Sequence, residues 1–156
     1  GRNNVMPWLA VEEHGDMGFY YRDLLRCHDQ FARPYLGYGE MLRPPRIEGN
    51  LPILPGTACG QYQPAFPVKA VEGSAWRAPD GSVGLFFLNY DSREHEFTWT
   101  QDLNEITQIG PDKTLKVTRW TPQGEQAVGQ WEGGVLRRTT KIEPWGLIAL
   151  KLEVVP

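Results

Sequence analysis

The densest run of titratable side chains is Glu12-Glu13-His14, with Asp16 two residues further on. Carboxylates accept hydrogen bonds from hydroxyl groups, so a loop of this kind can face a sugar-like ligand. It reads equally well as a solvated loop whose acids sit near the positive end of a helix, with Asp16 as the cap. A metal ion needs three or more ligands converging on one point, which near-adjacent residues rarely supply; no metal and no cofactor is expected. The three histidines, His14, His28 and His95, fall in three different segments. There is no Gly-x-Ser-x-Gly elbow, no phosphate-binding glycine loop and no His-Glu-x-x-His. No catalytic residue is assigned. A self-contained enzyme would need His14 or His95 beside a carboxylate in a concave pocket.

The six tryptophans are the second chemical signal. A flat indole stacks on the apolar face of a pyranose ring as it does on other planar partners. The carbohydrate-binding candidates are Trp8, Trp120 and Trp131, together with Glu12, Glu13 and His14. Alternation places Trp99 on one face with Phe97, so Trp99 is expected in a core. Trp120 shares a face with Lys116 and Thr118 and is expected at the surface. Trp131, beside Gly133-Gly134, is expected to cover one end of a sheet. The competing reading is that tryptophans simply fill a small β-core. The two cysteines, Cys27 and Cys59, are too few for a disulfide scaffold and read as free thiols.

Positioning these side chains falls to two unlike halves. At 156 residues the chain has room for about one domain. Hydrophobic residues at 40% supply a core and argue against disorder. The formal charge of −3 lacks the footprint of a nucleic-acid binder. No apolar run approaches the roughly 20 residues of a membrane-spanning helix, so no membrane partner is expected. In the front half, Asn4–Val11 is a short apolar run that reads as a strand, followed by the loop Glu12–Asp16. Met17, Tyr20, Leu24, Cys27 and Phe31 then recur at helical spacing. This predicts an amphipathic helix that kinks or ends at about Arg33, because Pro34 lacks an N–H and crowds the preceding turn. A second short helix over Tyr35–Leu42 is weakened by Gly37 and Gly39. Residues 43–67 are a Pro-punctuated connector.

The back half, 68–156, reads as strands. Asp80-Gly81 is a hairpin signal between Val68–Ala78 and Ser82–Tyr90. The continuous apolar run in Ser82–Tyr90 predicts burial on both faces. Strands follow over His95–Thr100, Thr114–Thr121, a segment holding Val128 and Trp131, Leu136–Ile142 and Leu147–Val155. In the last of these, Ile148, Leu150, Leu152 and Val154 are expected to point inward. No helical pattern lies between them. The fold class is therefore mainly β: an antiparallel β-sandwich of about seven or eight strands, preceded by an N-terminal helical segment.

The run Tyr20-Tyr21-Arg22-Asp23-Leu24-Leu25 through Arg33-Pro34-Tyr35-Leu36-Gly37-Tyr38-Gly39-Glu40-Met41-Leu42 resembles the last barrel helix of (β/α)8 glycoside hydrolases. The stretch Gly73–Tyr90 resembles the opening hairpin of the β-sandwich that follows such barrels. The chain is most similar to a bacterial glycoside-hydrolase-like family of unknown function. The resemblance implies that residues 1–42 are the last strand, loop and helix of a barrel, and that 68–156 are an accessory sandwich. It implies that the catalytic barrel itself lies outside this chain, with carboxylates this chain does not carry. The partners it implies are that barrel, a carbohydrate, and a second copy of the chain through the helix. Without barrel strands to cover it, the helix is expected to fold back on the sandwich or to pair with another copy.

Overall fold

The computed structural model describes residues 15–55 and 67–155, with side chains from Gly18 onward. The expected strand Asn4–Val11, Trp8, Glu12, Glu13, His14, Cys59 and the capping side chain of Asp16 lie outside the described residues.

Helix α1 runs Gly15–Cys27, continues through a π-helical turn His28–Ala32 and ends in α2, Arg33–Leu36. The helical segment does not end at Arg33, but its α-helical ladder is interrupted just before it, by the π turn. In an unbroken α-helix Pro34 would crowd the Gln30 carbonyl and leave it without a donor. The wider π turn ahead of Pro34 removes that conflict, and proline then sits in the first turn of α2, where its missing N–H costs nothing. The helix stops at Leu36 rather than reaching Leu42. A Cβ on Gly39 would lie 2.7 Å from the Arg77 carbonyl, so only glycine lets the chain leave the helix directly into a strand there.

Eleven strands are present among the described residues: β1 Glu40–Leu42, β2 Arg46–Glu48, β3 Ile53–Leu54, β4 Val68–Lys69, β5 Val71–Arg77, β6 Val83–Asn89, β7 His95–Asp102, β8 Thr114–Thr121, β9 Gly124–Glu132, β10 Val135–Ile142 and β11 Leu147–Val154. A six-stranded sheet has the order β1-β5-β6-β11-β8-β9, a three-stranded sheet the order β10-β7-β2, and β3-β4 form a small separate pair. Every pairing is antiparallel. The count exceeds the expected seven or eight because Glu40–Leu42 and the connector also supply strands: β1 adds an edge beside β5, and β2 an edge beside β7. A five-residue helix, α3 (Leu103–Thr107), interrupts the run of strands, capped by Asp102, whose carboxylate accepts from the Glu105 N–H at 3.1 Å.

Two apolar layers result. Between the sheets lie Leu85, Phe87, Phe97, Trp99, Leu115, Val117, Leu150 and Leu152. On the opposite face of the six-stranded sheet, Cys27, Phe31, Ala32 and Tyr35 from the helical segment pack on Phe86, Trp120 and Ala149. Strand β6 is thus buried on both faces, as its unbroken apolar run requires. The helix therefore has its own cover in this chain and lies on the sandwich. Val154 departs from the expected pattern. It stands 42% exposed at the end of β11, past the last pairing with β6 and paired only with Leu115 of β8.

Candidate functional site

The best-formed depression among the described residues is a groove of about 490 Å³ where three elements meet. Helix α1 supplies Phe19, Tyr20 and Asp23; the end of β8 and the following turn supply Arg119, Trp120 and Thr121; the β10–β11 turn supplies Glu143 and Trp145. Each is placed by the local fold. Phe19 and Asp23 are one helical turn apart and share a face. Arg119 and Trp120 point to opposite sides of β8. Trp120 is 4% exposed and forms the floor, its indole N–H donating to the Gln30 amide oxygen at 3.4 Å.

The expectation of a surface Trp120 is thus corrected. Thr118 and Trp120 do share a face, and the helical segment covers it at Trp120. Trp131 is half-buried at the sandwich end, its ring 6.2 Å from Trp99 and under the Arg138 guanidinium at 4.9 Å. It closes the core there, as expected, and is remote in the fold from the groove. Trp99 is a core residue, 1% exposed. Trp120 and Trp131 are therefore not brought together as a stacking platform.

The tryptophan that borders the groove is Trp145. Its φ of 51° places it in the left-handed region, which a bulky side chain rarely enters and which costs on the order of 1–3 kcal/mol. A buried polar network holds it there. The Trp145 N–H donates to the Asp91 carbonyl at 3.0 Å, and the Gly146 N–H closes the turn on the Glu143 carbonyl at 2.9 Å. Asn89, fully buried at the end of β6, donates its amide to the carbonyls of Glu143 at 2.8 Å and Arg93 at 2.7 Å, and accepts from the Asp91 N–H at 2.9 Å. The Tyr20 ring lies 6.2 Å from the Trp145 ring. Burial, with Tyr90 and Tyr21 adding to it, pushes the Tyr20 hydroxyl well above the ordinary tyrosine range, so it is a neutral donor.

His95 does meet a carboxylate, with Nε2 2.8 Å from Asp91 Oδ2. That hydrogen bond, with the Ser92 N–H, holds the Asp91 carboxyl below its ordinary value despite some desolvation. Neither residue lines the groove. The pair braces the turn that carries Trp145 and offers no concave pocket to a substrate. A second relay, Tyr35 to Ser82 at 2.9 Å and Ser82 to Asp80 at 2.6 Å, ties the helical segment to the β5–β6 hairpin. Cys27 is a buried free thiol whose pKa burial raises to about 12, which leaves it unreactive. No group of three or more His, Cys, Asp or Glu converges among the described residues.

Trp145 and Asn89 escape a reading based on side-chain alternation. The one signal that bears on Trp145 is its setting, Glu143-Pro144-Trp145-Gly146, a turn composition between two strands.

No protein-family model matches the chain, and no curated protein matches it. Among solved structures, one described as a glycoside hydrolase is similar to 64% of this chain at 16% identity and a TM-score of 0.35. The match takes in 19% of that structure's length. The likeness is distant, and neither the fold nor the function described here rests on it.

Proposed function

We propose that this chain is a non-catalytic β-sandwich support that beds its helical face against a larger body, the (β/α)8 barrel of a glycoside-hydrolase-like protein. The observation that carries this reading is the outer side of the helical layer. Tyr21, Leu25 and Leu36 stand 42–54% exposed on the helical segment, and Tyr38 and Met41 are exposed in the turn and edge strand that follow it, while Cys27, Phe31, Ala32 and Tyr35 are buried against the sheet. Single exposed apolar residues are ordinary, but a succession of them over one helical segment and its exit marks a surface made to be covered. At roughly 25 cal/mol per Å², covering half-exposed side chains of this size contributes on the order of 1 kcal/mol each. The resemblance of Tyr20–Leu42 to a last barrel helix supplies the kind of body that would do so. Among the described residues, Asp23 and Glu143 border an open groove rather than an enclosed cleft, and the His95–Asp91 pair lies outside it.

The test is the reading frame upstream of the Gly1 codon in the source genome. It is expected to run on through the roughly 250 residues of alternating strand and helix pattern that a barrel needs. A frame closed within a few codons, or turnover of chromogenic glycosides by the purified chain, overturns the proposal.

A further inference from the structure

We infer that the outer face of the helical segment is an interface between two copies of this chain, laid antiparallel about a two-fold axis that passes between Asp29 and Arg33. This goes beyond the supporting role: it uses the same exposed face but needs no barrel. The face carries a stripe. Tyr21, Leu25, Asp29, Arg33 and Leu36 follow one another at steps of four or three residues, and all are exposed. A step of four drifts slowly round an α-helix, which has 3.6 residues per turn. The π turn His28–Ala32 holds more residues per turn and corrects that drift, so the stripe keeps to one side while Cys27, Phe31 and Tyr35 keep to the sheet.

The order of charges selects the occupant. The Asp29 side chain is 77% exposed and meets His28 Nδ1 through Oδ1 alone, at 3.1 Å. Arg33 forms no ion pair among the described residues, not even with Asp29 one turn away. Along the stripe the sequence is leucine, acid, base, leucine. Two copies running in the same direction would set acid on acid and base on base. Two antiparallel copies set each Asp29 against the partner's Arg33 and each Leu25 against the partner's Leu36, so the face complements itself only about a two-fold axis. The ion pairs fix orientation and register, and the leucines on either side of them supply the burial. The helical segment, Gly15–Leu36, is roughly 33 Å long at 1.5 Å per residue. A single helix-on-helix contact of that length is at the low end of interface sizes, so the pair is weak and depends on concentration.

The test is sedimentation equilibrium of the whole chain between roughly 10 µM and 1 mM, the range proper to an interface of this size. A monomer–dimer equilibrium is expected. Asp29→Arg and Arg33→Asp each set like charges against each other twice in a symmetric pair, and each is expected to weaken association about fivefold or more. The double reversal, Asp29→Arg with Arg33→Asp, recreates both ion pairs and is expected to return to within about twofold of the parent. An equimolar mixture of the two single variants also pairs opposite charges and is expected to associate more tightly than either variant alone. Thermal midpoints of all variants, measured alongside, separate lost association from lost fold. A parent that stays monomeric throughout overturns the inference and leaves this face to a different partner. A double reversal no better than the single ones overturns the antiparallel order. Neither result bears on the upstream reading frame, which tests the supporting role separately.

Discussion

At the scale of single residues, the most consequential side chain is Asn89, which lies at the end of an otherwise apolar strand. Its fully buried amide satisfies two carbonyls from separate loops and one N–H. Replacing it with Ala strands those groups, and each unsatisfied buried partner costs about 1–3 kcal/mol. Asn89→Ala is expected to destabilise the chain by roughly 2–4 kcal/mol, read as a lower urea midpoint. A milder pH effect comes from Asp91 and Asp80. His95 holds the first carboxyl below its ordinary value, and the Ser82 hydroxyl and N–H hold the second. A carboxyl depressed in the folded state contributes stability in full above its ordinary value, and that contribution is lost as pH falls through the folded value. Urea midpoints are therefore expected to decline as pH falls through and below the ordinary carboxylate range, and less steeply in Asp91→Asn. At this scale the sequence tells little. Alternation correctly assigns Phe97, Trp99, Leu115 and Val117 to the core. It says nothing about Trp145, because a turn residue has no period, and it misplaces Trp120, because the layer that covers it comes from nearly ninety residues earlier in the chain.

Among the elements, what local pattern dictates is what is found: the Asp80-Gly81 hairpin, with Gly81 at a φ of 86°, and the apolar strands on either side. What depends on tertiary contact is not found by pattern alone. The helix passes Pro34 because Phe31 and Tyr35, on either side of it, are both anchored on the sheet, the latter through Ser82 as well. Packing of this kind outweighs a local preference. The Asp102-x-x-Glu105 spacing, an acid cap with an acid three residues later, is the local signal for α3, while a single helical turn shows no amphipathic period. The helix and sheet meet most closely at Gly84. A Cβ there would lie 2.8 Å from ring atoms of both Tyr35 and Phe86, two packed aromatic side chains with little room to retreat. Gly84→Ala is expected to cost about 1–3 kcal/mol through overpacking. Amide exchange should quicken over residues 28–36 and stay slow in β7 and β10. Equal loss of protection in both sheets would show that the helical layer is not the part displaced.

For the molecule as a whole, the six-stranded sheet is the shared wall of two cores, and the helical layer is both a product of that sheet and the chain's outermost apolar surface. Its two sides make different demands. The inner side is satisfied internally, so stability does not require a partner. The outer side, with Tyr21 and Leu25 one turn apart and Leu36, Tyr38 and Met41 beyond, is stable yet uncovered. A surface of this kind, freed of its partner, covers itself by meeting a copy of itself, since the same burial that would hold a barrel also favours a symmetric pair. The isolated chain is accordingly expected to self-associate with rising concentration in sedimentation velocity. The double variant Leu25→Lys with Leu36→Lys should remain monomeric over the same range. Because both side chains are more than two-fifths exposed, its stability should match the parent's to within about 1 kcal/mol. If the variant unfolds instead, these leucines serve the chain's own fold. If the parent stays monomeric throughout, the outer face is not an interaction surface, and the reason for its apolar composition must be sought in folding rather than in docking.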